Sequence, residues 1–259
     1  WFRFGCGGRD VTHVPPIRIV SPPSSAESLG AWQYFRSRGA RCTWSACGSS
    51  ILAHRASTID DADAVCEVGL IDPESCRFTP VGRTTAWSAA DGARLQWLDA
   101  GRVVYNTRDD DDRMHATIAT IDAQGRVTDR VVLEHPIHTV SPCASRALTI
   151  GFERFGANRP ALAIAGLVDH HVTNPAPKHC GVCTIDLERG TRENLITLAE
   201  LVHCHESELG EGRTHFVDDL SYSPGGTRVA IVHRFERADG ISHARLITID
   251  ASGASAPRL

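Results

Sequence analysis

The chain has no apolar run approaching the ~20 residues that a membrane-spanning helix needs. It has no surplus of basic residues either. With 27 Lys and Arg against 31 Asp and Glu, the net charge is −4, which argues against a nucleic-acid or anionic-membrane surface built from clustered cations. No Walker-type loop, no Gly-x-Gly-x-x-Gly after a strand and no Gly-x-Ser-x-Gly elbow is present, so phosphate-handling and hydrolase chemistry lose support. Methionine occurs once, at Met114, and the chain opens on Trp1, so it is read as a fragment or a trimmed product. The opening Trp1-Phe2-Arg3-Phe4-Gly5-Cys6 lacks the long apolar stretch of a signal peptide. The nine cysteines are an odd number scattered over 259 residues. That is not the dense spacing of a disulfide framework, and free thiols behaving as small hydrophobes are the expectation.

What is present is enough for a core. Hydrophobic residues make up 42% and charged residues 22%, a balance that argues against global disorder. Residues 1–40 differ from the rest: Pro15-Pro16 and Pro22-Pro23 frame Ser21, Ser24 and Ser25, a linker-like composition that predicts an irregular lead-in with one or two strands at most.

From residue 41 a pattern repeats. Four alternating apolar stretches end in Ile-Asp and a small-residue turn, at Ile71-Asp72, Ile121-Asp122, Ile185-Asp186 and Ile249-Asp250. Upstream of each lies a second element, a turn with Ser-Pro or a relative followed by an apolar strand. Ser223-Pro224-Gly225-Gly226 before Arg228-Val229-Ala230-Ile231-Val232 is the clearest copy, and Ser141-Pro142 before Arg146-Ala147-Leu148-Thr149-Ile150-Gly151-Phe152 is another. Adding the short apolar strand after each Ile-Asp turn gives about four strands per unit. The expected fold is all-β: a β-propeller of four-stranded antiparallel blades, about four of them over residues 41–259, in an incomplete ring. An open ring leaves two exposed blade edges. Successive aspartates lie 50, 64 and 64 residues apart, so the later units carry insertions. These are residues 156–179, rich in Pro, Ala and His, and residues 198–214, whose Leu198-Ala199-Glu200-Leu201-Val202 reads as a helical turn. Insertions of this kind sit on one face of a propeller and often shape its binding site.

These blades resemble those of TolB-type propellers. The segment from Ile51 to Leu259 more specifically resembles seven-bladed propellers related to oligogalacturonate lyase. The matching stretches include Ala64 to Asp72, Arg94-Leu95-Gln96-Trp97-Leu98, Arg102-Val103-Val104-Tyr105-Asn106, His215 to Pro224 and His233-Arg234-Phe235. The resemblance implies a carbohydrate-directed protein, acting by metal-assisted β-elimination or by sugar binding alone, in the cytoplasm or periplasm. It implies a divalent metal, typically manganese, held by histidines and a glutamine near the central channel. The chain departs from the pattern at Asp218-Asp219, where relatives carry Asn-His, and it stops before the blades that would bring most of those ligands. The alternatives are a non-catalytic scaffold presenting a propeller face to a protein, and a degenerate gene product. The expected partner is an oligosaccharide or a protein, with no nucleic acid and no membrane.

His215, His233 and Arg234 are the leading chemical candidates. Arg234 is suited to gripping a carboxylate bidentately. His215 is suited to acting as base or metal ligand, because elimination needs a base for the proton α to the carboxylate and a cation for the enolate-like intermediate. The plainer reading is that His233 and Arg234 end a strand and pair with nearby acids. Gln96, His233 and Trp87 are carried as binding residues. Trp87, beside Thr84, Thr85 and Ser88 in an expected loop, is the better sugar platform, whereas Trp97 is mid-strand and reads as core. His179, Cys180, Cys183, His203, Cys204 and His205 have zinc-like ingredients but not the tight spacing of a structural zinc site. Asp109-Asp110-Asp111-Asp112 lacks the alternation and Gly turn of a calcium loop and reads as a solvated hairpin cap.

Overall fold

The structure, a computed structural model, describes residues 32–37, 42–61, 63–204, 212–237, 240–253 and 257–258. Four antiparallel sheets follow one another along the chain in a ring that does not close, a propeller arrangement of four blades. The first blade is β1 (Gln33–Phe35), β2 (Ile51–Ala56), β3 (Cys66–Asp72) and β4 (Arg77–Thr84). The second is β5 (Gln96–Trp97), β6 (Arg102–Arg108), β7 (Met114–Ile121) and β8 (Val127–Leu133). The third is β9 (Thr139–Val140), β10 (Arg146–Ile150), β11 (Gly181–Asp186) and β12 (Arg192–Thr197). The fourth has three strands among the described residues: β13 (Gly212–Tyr222), β14 (Arg228–Arg237) and β15 (Ser242–Asp250). Thr248 and Arg258 exchange two backbone hydrogen bonds at the free edge of β15, of 2.7 and 2.8 Å. β1 falls inside the stretch expected as a lead-in, yet it pairs with β2 and belongs to the first blade; residues 1–31 lie outside the described residues.

Both repeated sequence elements are turns, and each repeats because a side chain closes it. The Oγ atoms of Ser45, Ser141 and Ser223 each accept the N–H five residues on, at 3.0, 3.1 and 3.1 Å. In the Ile-Asp turns, Oδ1 of Asp72, Asp122, Asp186 and Asp250 accepts the N–H two residues on, at 2.8, 2.9, 3.0 and 3.0 Å. This is the Asx-turn chemistry that suits Asp to such positions. Because the strands alternate in direction, both turn types fall at the same end of every blade. The variable connections, including residues 109–113, 134–138 and 151–180, fall at the other end.

Strand alternation divides the core between blades. Adjacent residues of β6 face opposite neighbours: Val103 and Tyr105 meet Leu52, Val68 and Leu70 of the first blade, whereas Val104 meets Ala147 and Ile185 of the third. Leu148 and Val182 of the third blade meet Val229, Ile231 and Ile247 of the fourth. Buried polar groups join blade to blade. His54 Nε2 accepts the N–H of Ala93 (3.0 Å), and Asn106 exchanges hydrogen bonds with the backbone of Ile137 at 2.9 and 2.8 Å.

Two short helices interrupt the strands. β10 ends at Ile150, and α1 (Phe152–Asn158) starts where the sequence pattern suggests more strand. α2 (Leu198–His203) is the expected helical turn, closed by a capping box in which Thr197 Oγ1 accepts the Glu200 N–H and Glu200 Oε2 accepts the Thr197 N–H. Where the α1 insertion returns to the sheet, Gly181 has φ +154°, and a Cβ there would lie 2.2 Å from the Ile196 carbonyl oxygen and 2.7 Å from Thr197 Cα. Backbone cannot step aside as a side-chain tip can. Gly181→Ala is expected to lower stability by about 3 kcal/mol, read as a shifted urea midpoint. Gly225→Ala, with nothing within 4 Å of the new methyl, should leave it almost unchanged; equal midpoints for the two variants would refute this.

Candidate functional site

The variable end is organised by one buried arginine. Arg154 of α1 is 2% exposed. Its Nε donates to the His215 carbonyl (2.6 Å), its Nη1 to Asp169 Oδ2 and the His171 carbonyl (both 3.2 Å), and its Nη2 to the carbonyls of Asn174 (3.0 Å) and Pro175 (2.7 Å). The His215 N–H returns a bond to the Pro175 carbonyl at 2.9 Å. One guanidinium therefore ties the irregular insertion to the start of β13. Arg108 Nη2 donates to the Ala165 carbonyl and holds the insertion's other limb against β6.

His215 and His233 do come together, though in a bonding state that limits their chemistry. Their rings stack 5.2 Å apart with His215 Nδ1 3.2 Å from His233 Nε2, and Arg245 Nε donates to His233 Nδ1 at 2.9 Å. Arginine only donates, so the proton of neutral His233 sits on Nε2 and is given to His215 Nδ1, leaving the proton of His215 on Nε2. Neither ring keeps a spare lone pair for a metal or a substrate proton. Burial, then the charge of Arg245, pushes His215 down to about 4 and His233 to about 3. The pair is a neutral link within blade four, joining β13 to β14 and, through Arg245, to β15. Among the described residues no group of three or more His, Cys, Asp or Glu is placed to hold a metal ion, so the described side chains do not form a set that fits the manganese the resemblance implies.

The other candidates are dispersed. Arg234, in mid-strand rather than at a strand end, lies on the opposite face of β14 and donates to Asp218 Oδ2 at 2.5 Å; Arg159 approaches the other oxygen at 3.3 Å. The Asp218 that departs from the resemblance is thus flanked by two arginines. Asp219 stands 3.6 Å from His138 Nε2. Gln96 is a structural clasp: its amide donates to the His138 carbonyl (3.1 Å) and accepts from the Val140 N–H (3.2 Å). Trp87 has 0% exposure and donates Nε1–H to the Ala64 carbonyl, so it shows no face to a sugar. Trp97, expected in the core, lines a cavity of about 660 Å³ at the repeated-turn end together with Trp44. Cys183 is buried in β11 with its thiol on Asn194 Oδ1 (3.1 Å), and none of the eight described cysteines is in a disulfide; Cys6 and His205 lie outside the described residues. Asp109 closes the acidic run as a turn by accepting the N–H groups of Asp111 and Arg113 at 3.0 and 2.8 Å, and it holds His115 Nε2 at 2.9 Å.

A cleft of about 650 Å³ opens at the variable end, between the β6–β7 loop, the β8–β9 connection and the insertion. Met114, Phe152 and Leu167 supply its apolar surface. Five imidazoles line it, from His115, His135, His170, His171 and His179, together with Arg113, Arg192, Glu134 and Glu153. The exposed rings of His171 and His179 meet edge to face, 4.0 Å between centroids. Of these histidines only His179 stood out in the sequence; the available signal was the His-rich composition of the insertion.

No protein-family model matches the chain, and no curated protein matches it. Among solved structures it is similar to a candidate TolB from Agrobacterium tumefaciens, at 14% identity and a TM-score of 0.45 over 86% of this chain and 60% of that one. It is also similar to candidate 6-phosphogluconolactonases from Bacteroides uniformis (12%, 0.36, 82% and 57%) and Bacteroides fragilis (13%, 0.34, 80% and 55%). The chain thus spans 55–60% of the length of these structures. Likeness at these scores says nothing of chemistry, and the propeller arrangement stands on the sheets themselves.

Two outcomes test this account. Arg154→Met takes the guanidinium donor from Asp169 and four carbonyls and is expected to cost about 3 kcal/mol or more, with new proteolytic cleavage in residues 165–180. Unchanged melting and cleavage would show that the insertion is held by something else. The second concerns pH. His54 is pushed down to about 4 by burial, and burial also drives His138 well below the usual imidazole range. With His215 and His233 they stay neutral in the fold while the unfolded chain protonates below about 6.5. Stability should be level above that pH and fall as pH drops from about 6.5 towards 4. The turn carboxylates, held below the usual range by the Ser75 hydroxyl at Asp72, the Arg126 N–H at Asp122, the Arg189 N–H at Asp186 and the Ser252 hydroxyl at Asp250, extend the loss to lower pH. A urea midpoint that rises on acidification through this window contradicts the assignment.

Proposed function

We propose that this propeller is carbohydrate-directed and that its ligand, an oligosaccharide, lodges in the cleft walled by the α1 insertion. The observation that carries the reading is the cleft itself. Its volume of about 650 Å³ lies in the range of small-molecule sites, and apolar surface is combined with a few converging polar groups, as such sites require. It opens at the end where the blades vary, the usual place for a repeat protein to bind. Arg192, exposed on β12 and without an ion pair among the described residues, offers a cation to a carboxylate. An acidic sugar of the oligogalacturonate kind suits this lining and agrees with the sequence resemblance. For β-elimination the lining has side chains of the required types, an imidazole base and an arginine, but the binding form of the reading does not depend on turnover.

A second reading, a scaffold that presents this end to a protein, is favoured by Val168, in the cleft lining, and Val172, outside it, which are 59% and 63% exposed. Calorimetric titration with trigalacturonate and with a neutral trisaccharide separates the two. The carbohydrate reading expects saturable binding that Arg192→Ala weakens about tenfold and that Val172→Ser, outside the cleft lining, leaves alone. Absorbance of an unsaturated uronate reports elimination in the same samples. No binding of either saccharide at millimolar concentration removes the carbohydrate reading.

A further inference from the structure

The cleft's imidazoles are more numerous than a sugar site requires, and their arrangement has a consequence for charge. With all five neutral, the three arginines Arg113, Arg154 and Arg192 face the four carboxylates Asp112, Glu134, Glu153 and Asp169, a formal −1; with all five protonated the lining reaches +4. No other side-chain type changes charge in this way between pH 5 and 8.

The five are not equivalent. His115 on β7 is already held by Asp109, outside the lining proper. His135, in the β8–β9 connection, is pushed down by burial and then by Arg192, with Glu134 opposing. Arg154 and Asp169 neutralise each other at 3.2 Å. What remains is the insertion's own limb, with exposed His170, His171 and His179, facing Glu153 of α1 and the Asp112–Arg113 tip of the β6–β7 loop. His171 and His179 stand 4.0 Å apart. Set this close on one wall, the two rings can both present an N–H to a single anion lodged in the cleft. The wall that carries them is fixed by Arg154, which grips the His171 carbonyl itself.

We propose that His171 and His179 form a proton-coupled anion clamp, which binds a carboxylate of the ligand as the pair takes up a proton, so that capture tightens on acidification. This rests on the reading of the cleft as the ligand site.

The test is calorimetry of the whole chain with trigalacturonate and with its methyl ester, at about pH 6 and about pH 7.8, where the ligand carboxylates stay ionised. Near-UV circular dichroism confirms the fold at both. The expectation is at least about tenfold tighter binding of the acid at the lower pH, net proton uptake of about one when buffers of different ionisation enthalpy are compared, and no pH effect for the ester. The double variant His171→Gln/His179→Gln should flatten the ratio, and His171→Lys/His179→Lys should bind at about pH 7.8 as tightly as the parent at about pH 6. Equal affinity of the parent at both pH values, or a pH ratio that survives the glutamine pair, overturns the clamp while leaving the cleft as ligand site. Absence of binding by acid and ester alike at both pH values overturns the cleft reading and the clamp with it.

Discussion

The Arg154 guanidinium is the contact on which the variable end of this propeller depends. A buried cation is tolerable only when its donors are met, and an irregular segment is tolerable only when its carbonyls find donors. Residues 169–175 and the start of β13 supply one carboxylate and four carbonyls to the same planar group. Each requirement meets the other. The insertion can therefore lack regular structure and still hold a fixed wall, and the cleft exists because that wall stands away from β7 and the β8–β9 connection.

The two ends of the blades are under different constraints. At one end the blades close through turns with a recurring solution: a serine hydroxyl or an aspartate carboxylate accepting a local N–H. At the other end, connections may lengthen at little entropic expense, since loop closure grows only slowly with length. Chemical variety collects there, and so do the cleft's imidazoles.

Polar groups inside the blades serve alignment. His54, Gln96 and Asn106 each bond backbone in or leading into the following blade, and Arg245 fixes the tautomer of His233 and through it that of His215. A buried β-core with strands slipping by one residue would turn every apolar side chain outward, and directional bonds between blades oppose such slippage. This explains why residues that look catalytic in the sequence turn out to be spent on structure. A histidine is a good base only while one nitrogen has a lone pair to give, and in this pair both are committed.

The all-β class, the blade repeat and the helical turn at residues 198–202 were legible in the sequence by itself, because period-two alternation, Asx and serine turns and a capping box are local signals that act over a handful of residues. The extra helix at α1 was not, since Phe152 continues an apolar run and only Gly151 marks the break. Nor was the burial of Trp87, whose partner Ala64 is 23 residues away. The convergence of five histidines on one cleft was visible only as composition. Arg154 reaches His215 across 61 residues, and which imidazoles share a cavity follows from where that arginine pins the chain. Turns are decided by neighbours in sequence; the site is decided by neighbours in space, and only the tertiary structure names those.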